Sequence, residues 1–556
     1  MSNSIAQNLS PAKAEREVDV VIVGAGFAGL YALHEARGKG LSAVVFEAGS
    51  EVGGTWNWNR YPGARCDIES LQYSYSFDAQ LEQEWQWTER YATQPEILAY
   101  LNHVADRFDL RRDISMNTRV QSIAFDEATN RWTVVTDQDD RVTSRFCIMA
   151  TGNLSAARVP DITGRESFGG PTYHTGHWPH EGVDFTGKRV AVIGTGSSGI
   201  QAIPKIAEQA AQLTVFQRTP AFSLPARNMP LDPDKDRAWK SEYPFHRNRA
   251  RTSRSGLLTP PGTGKKIAEA TADEHRDAFE FFWEEGGPGL LGSFADIMLD
   301  QEANKVAADF VRGKIREMVK DPVVAERLSP SDYPIGAKRI CIDTGYFDTY
   351  NRPNVALVDL RETPIERITP TGIATSDAEY AFDAIVFATG FDAMTGALSR
   401  IEISGRDGLK LTGKWSAGPR TYLGLMTAGF PNLFLITGPG SPSVVGNVVL
   451  SIEFAVDFVI EAIDAMESSG RKLIDVDIET EDEWVDHVRD VANMTLYSVA
   501  NSWYLGANVP GKPRVFMPYV GGNIPYRQKV AAVIENDYEG FVFDAETAQR
   551  AQAVNS

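Results

Sequence analysis

With 556 residues, a formal charge of -19 and 43% hydrophobic against 23% charged residues, the chain is an ordinary globular sequence too long for one core; two to four domains are expected. The acidic balance excludes a general polyanion-binding surface, which needs clustered Lys and Arg, so no nucleic-acid partner is expected. Cys66, Cys147 and Cys341 form neither a CxxC pair nor a metal spacing, which excludes a disulfide framework and predicts no metal site.

The opening MSNSIAQNLSPAKAEREV is polar and lacks an apolar h-region. Residues 1–17 are expected to form a flexible arm, and the protein to be cytoplasmic without membrane contact. From Val18 the run VDVVIV is β-branched and continuous, as in a buried parallel sheet, and it leads straight into GAGFAG, Gly24 to Gly29. The first glycine makes the turn, Gly26 lets the backbone approach a pyrophosphate, and Gly29 lets helix pack on strand. The phosphates then meet the free N–H groups of a helix N-terminus. A second strand, LSAVVFE, ends in Glu47, about 20 residues on, where a carboxylate accepts from a ribose and repels a 2'-phosphate; this unit is expected to take FAD or NAD.

Next, GGTWNWNRYPGARCDIES (Gly53 to Ser70) crowds Trp56, Trp58, Arg60, Tyr61, Arg65 and Asp67 together. It reads either as a surface loop stiffened by aromatics or as a segment whose Gly54 to Trp58 part wraps a flavin, with Asp67 placing a carboxylate near the reactive face. RFCIMATG, closing at Gly152, is a further strand end. KRVAVIGTGSSGIQAI then repeats the first unit, with Gly194, Gly196 and Gly199 in the fingerprint positions. Its second strand, LTVFQRTP, ends in Arg218 instead of an acid; a guanidinium there accommodates a 2'-phosphate, so this unit is expected to bind NADPH. From Pro225 to Pro334, amphipathic stretches such as DEHRDAFEFFWEE predict a helical insertion. The basic run HRNRARTSR, His246 to Arg254, reads as a solvated loop or helix end. AIVFATG closes the second unit at Gly390, after which the first resumes.

The expected fold is therefore α/β, with two Rossmann-like dinucleotide-binding domains and a helical insertion. Residues 18–152 and 391–543 form a discontinuous FAD domain, 153–224 and 335–390 an NADPH domain, 225–334 the insertion and 544–556 a polar tail.

Phe168, Gly170, His174, Trp178 and Pro179 fit FxGxxxHxxxW followed by P or D. That pattern, just ahead of a second glycine fingerprint, resembles the signature of the Baeyer-Villiger monooxygenases, and similar segments run from about Val18 to Phe543. The resemblance implies FAD and NADPH as cofactors and a ketone and O2 as substrates, with no obligate protein partner. It further implies that esters or lactones are to be expected as products, through a C4a-peroxyflavin and a tetrahedral adduct, with sulfoxidation as a side activity. It assigns the catalytic cation to Arg339 in GAKRI, oriented by Asp67, although on its residues alone a KR pair reads as solvated. It implies FAD contacts at Gly24, Gly26, Ala28, Gly29, Glu47, Gly54, Thr55, Trp56, Asn57, Trp58, Asp67, Tyr73, Val120 and Val448. For NADP it implies Arg65, Cys66, Gly194, Thr195, Gly196, Ser197, Ser198, Gly199, Gln201, Arg218, Thr219, Lys338 and Trp503. GPGSPSVVGNV and NSWYLGANVPG resemble the family's flavin-side substrate loop and its mobile segment over the nicotinamide. His174 reads equally as a coupling element that moves with NADPH and as a hydrogen-bonded structural linker.

An N- or S-hydroxylating flavin monooxygenase of the same build is the alternative activity, although it usually carries Tyr where this chain has Trp178. A disulfide reductase shares the folds but needs a redox-active cysteine pair, and a non-catalytic redox-sensing protein would not need every cofactor element.

Overall fold

The computed structural model describes residues 16–543. The arm expected through residue 17 ends earlier, because the first strand already begins at Arg16 and pairs in parallel with Val142 and Thr143. The rest of that arm and the tail 544–556 lie outside the described residues.

The first strand, Arg16–Val23, is flanked in parallel by Ala43–Phe46 and Arg141–Met149, and all three are buried on both faces near their C-terminal ends. This explains their unbroken apolar runs. The eight-stranded sheet also takes in Glu402–Ser404 and Leu433–Leu435, so chain from both sides of the interruption joins one layer. A second sheet of five parallel strands runs in the order Val355–Asp359, Gln212–Gln217, Arg189–Ile193, Ala384–Phe387, Thr172–His174.

Between the second sheet's strands the chain makes helices, among them Tyr243–Arg251, Ala272–Glu285 and Gln301–Met318. The last buries Ala303, Ala307, Ala308, Val311 and Ile315, a stripe at helical spacing, and Asp300 caps it by accepting from Ala303 N–H. That stripe shares a core with Val190, Val192 and Val215 of the second sheet. The basic run departs from the solvated reading at Arg247, which is buried against Glu82 at 2.8 Å and donates to Ser74 Oγ and the Tyr75 carbonyl. A one-dimensional charge count does not see a carboxylate 165 positions away. Among the described residues no helix is long and apolar enough to cross a membrane, and no His, Cys, Asp or Glu group could hold a metal ion.

Candidate active site

Both fingerprints are built by the same backbone constraint. Gly24 has φ +103°, and a Cβ there would stand 2.6 Å from the Ala150 carbonyl oxygen; a Cβ on Gly29 would fall 1.8 Å from the oxygen of Gly24. The clashes recur at Gly194 and Gly199, against Ala388 and Gly194. Neither following helix, Phe27–Gly38 or Ser197–Gln209, has a side-chain cap, and neither carries an acid in its first turn. Their orphan N–H groups therefore face the cleft, as anion sites require.

The donor set fits two dinucleotides. A Cβ on Gly196 would meet nothing within 4 Å, leaving open space in front of the second helix. Glu47 is buried at the end of its strand, accepting from Ala25 N–H at 2.7 Å and Gly49 N–H at 2.6 Å. Burial pushes its carboxyl up, while those backbone donors pull it back. Nearby Asn57 Nδ2 is buried without a hydrogen-bond partner.

In the second unit Arg218 stands exposed just past Gln212–Gln217. Lys338 lies over the Tyr333 ring at 4.2 Å. Its ammonium is pushed down by burial, offset by Asp332 and pushed further by Arg218. Arg158 is likewise lowered, by burial and then by Arg218. Two cations that each feel Arg218 on one stretch of wall, together with Arg218 itself, suit a dianion such as a 2'-phosphate. Sequence reasoning missed Arg158, whose segment carries no motif.

Arg339 precedes the short strand Cys341–Asp343. Its Nε and Nη2 donate to the two oxygens of Asp67 at 2.8 and 2.7 Å, and Nη1 donates to the Val444 carbonyl at 2.5 Å. About a quarter of the side chain, 27%, stays accessible. Burial works against its charge, but Asp67 outweighs burial and raises the guanidinium further. The anchor Val444 follows Ser443, a buried residue at φ +26°, and packs in one cluster with Tyr504, Phe516 and Met517. The resemblance marked the loop GPGSPSVVGNV that holds Val444 but not Val444 itself, because the contact uses its backbone.

One cleft of about 1260 Å³ runs between the sheets. Of the expected residues, Gly24, Gly26, Ala28, Glu47, Gly54, Thr55, Trp56, Trp58, Asp67, Tyr73, Val120 and Val448 line it on the first-unit side. Arg65, Cys66, Gly194, Thr195, Gly196, Ser197, Ser198, Gln201, Arg218, Thr219, Lys338, Arg339 and Trp503 complete the wall. Gly29, Asn57 and Gly199 lie behind it. His177, not singled out from sequence, lines the cleft edge-on to Trp58 at 5.6 Å.

The signature residues stand outside the cleft. Trp178 is buried beside Tyr173 and Phe185, Phe168 packs against the core cluster that contains Ile368 and Ile373, and a Cβ on Gly170 would meet the Asp383 oxygen at 2.8 Å. His174 ends an edge strand of the second sheet. Its Nδ1 accepts from Gly176 N–H at 2.9 Å, which assigns the proton to Nε2, donating to the Arg158 carbonyl at 3.1 Å. Burial pushes its pKa down to about 4, so it is neutral near pH 7 and holds the backbone of a cleft-lining arginine.

Two dinucleotide folds facing one cleft, with a fixed guanidinium between them, define the class of two-nucleotide oxidoreductases. Residues 21–236 match the family described as pyridine nucleotide-disulphide oxidoreductase. Two curated relatives are each 42% identical to this chain. The 2-oxo-Δ3-4,5,5-trimethylcyclopentenylacetyl-CoA monooxygenase of Pseudomonas putida aligns over 539 residues, 94% of this chain and 98% of its own. The Baeyer-Villiger monooxygenase of Pseudooceanicola batsensis aligns over 532, covering 95% and 96%. The solved structure of oxidized steroid monooxygenase bound to NADP superposes with a TM-score of 0.91 at 54% identity, covering 95% of this chain and 99% of that one. The chain belongs to the Baeyer-Villiger monooxygenase family.

Proposed function

We propose that the chain is an FAD-containing, NADPH-dependent monooxygenase that converts a ketone and O2 to an ester or lactone. The observation that carries the reading is Arg339, clamped by Asp67 and the Val444 carbonyl while part of its guanidinium still opens on the cleft. When bound, FAD and NADPH supply hydride transfer and the activation of oxygen.

The chain's own residues do the rest. Gly24 to Gly29, Glu47, Thr55 to Trp58 and Tyr73 hold FAD; Gly194 to Gly199 hold the NADPH pyrophosphate, and Arg218, Thr219 and Lys338 its 2'-phosphate, with Arg158 added. The reading divides the chain as 18–152 with 391–543 for FAD, and 153–224 with 335–390 for NADPH. Arg339 stabilises negative charge developing on the attacked carbonyl oxygen, and it cannot give up its proton. Asp67 keeps that fork from swinging, and Trp503 at the rim helps to exclude water. Buried free thiols at Cys66, Cys147 and Cys341 suit a reducing compartment, which supports a cytoplasmic enzyme. The relatives' names lend less support to N- or S-hydroxylation.

The test is a panel of linear, aromatic, cyclic and steroidal ketones incubated with the FAD-loaded protein, NADPH and O2. Products heavier than the ketone by one oxygen, identified as esters or lactones, are expected. NADPH consumption without such products from any ketone would overturn the reading.

A further inference from the structure

The segment 61–67 lies between the two nucleotide units and is bonded to both. On the first-unit side Cys66 N–H donates to the Ala92 carbonyl at 3.1 Å, and Gln94 N–H donates to that of Ala64 at 2.8 Å. On the other side the segment bonds to the helix Ser197–Gln209, chiefly through the side chain of Gln201, with Ser198 also a hydrogen-bond partner of Tyr61. Gln201 Oε1 accepts from Tyr61 Oη at 2.7 Å and from Arg65 N–H at 3.4 Å, while its Nε2 donates to the Arg65 carbonyl at 3.1 Å. Gly63, at φ +83°, brings the strap so close that a Cβ there would stand 2.3 Å from the Gln201 carbonyl oxygen. Tyr61 and Ala64 are buried in the second unit's core, beside Ile200 and Ile203. The strap then ends at Asp67, which grips Arg339.

We propose that Gln201 is a positioning residue, whose carboxamide ties the helix of the second fingerprint to the strap and so sets the separation between the two dinucleotides. This rests on the FAD and NADPH reading above. The resemblance implies an NADP contact at Gln201, but the residue is buried, 8% exposed, and three of its hydrogen-bonding positions are already taken by the strap, so its place is given to the tie and not to the cofactor. One end of the tie bears on the helix whose N-terminus faces the pyrophosphate, the other on the loop that continues from Trp58. Hydride transfer is steep in geometry: a misplacement of about 1 Å costs on the order of 10²-fold. A tie between the two holders therefore acts on rate more than on affinity.

Gln201→Met keeps length and removes every hydrogen bond. In anaerobic stopped-flow with the FAD-loaded enzyme, the limiting rate of flavin reduction by NADPH should fall about tenfold or more, with Kd for NADPH within about threefold and FAD content unchanged. Hydrogen–deuterium exchange of the FAD-loaded enzyme without NADPH should speed up across 61–67. Tyr61→Phe, which removes one bond to Gln201, should reproduce part of both effects, and the double variant should be no slower than Gln201→Met. A raised Kd at an unchanged limiting rate would make Gln201 a direct cofactor ligand and overturn the proposal. So would unchanged exchange across 61–67. Failure of NADPH to reduce the wild-type flavin would instead sink the functional reading, while the exchange measurement would still decide the tie.

Discussion

Arg339 and Asp67, 272 positions apart in the chain, meet through two parallel hydrogen bonds, Nε to Oδ2 at 2.8 Å and Nη2 to Oδ1 at 2.7 Å. A fork–fork pair of this kind fixes orientation as well as distance. The third bond, to Val444, draws the same guanidinium toward the C-terminal loops, so elements from three regions of the chain converge on one cation.

Arg339→Ala should divide the two half-reactions. NADPH should still bleach the flavin, because hydride transfer needs only placement of the two cofactors. Ester formation should fall by about 10²- to 10³-fold or more, since one preorganised charge aimed at developing negative charge is worth on the order of 3 to 4 kcal/mol. Arg339→Lys should recover little, because a point charge cannot reproduce the fork on Asp67. Product yield against NADPH consumed, with hydrogen peroxide assayed alongside, reads the outcome; ester within a few-fold of wild type in the Ala variant would place the catalytic charge elsewhere.

Cofactor choice should rest on the cation group of the second unit. Arg218→Ala removes a charge-assisted contact worth roughly 1.5 to 3 kcal/mol, so KM for NADPH should rise about tenfold or more while NADH is used nearly as before. Equal losses with both cofactors would refute the assignment. Arg158→Ala should move in the same direction, since Arg158 and Lys338 both feel the charge of Arg218.

The signature should separate into two kinds of residue. Trp178 is a core side chain, and Trp178→Ala should destabilise the protein by about 3 to 5 kcal/mol, measured by urea unfolding of the FAD-loaded enzyme. His174→Ala should slow hydride transfer with FAD still bound, because the imidazole holds the Arg158 carbonyl. Wild-type reduction and oxygenation rates in that variant would leave the loop a linker.

His174 also gives stability a pH dependence. Its folded pKa of about 4 lies below the ordinary value of 6.5, so between those values the unfolded chain binds the proton and the folded one does not. Stability from this group is thus intact above pH 6.5 and declines as pH falls toward 4, by up to about 3 kcal/mol. The urea midpoint of wild type should drop more between pH 7 and pH 4.5 than that of His174→Asn; parallel drops would show that the histidine does not contribute.

Much was legible in the sequence because it depends on neighbours within one turn or one strand. Gly24 and Gly194 take φ of +103° and +110° in their turns, Gly29 and Gly199 are forced by the carbonyl oxygens of Gly24 and Gly194 five residues earlier, and Glu47 and Arg218 mark strand ends that the β-branched runs already located. The family resemblance singled out Arg339, but its local sequence could not: a KR pair reads as solvated until the fold supplies a carboxylate. What only the tertiary structure decided involves partners far apart in the chain. Arg247 is buried because Glu82 meets it, Val444 holds Arg339 through a carbonyl that any residue would carry, and Gln201 reaches a strap 136 positions away. Backbone acceptors and long-range polar pairs leave no periodicity or spacing to read, so only the assembled fold makes them visible.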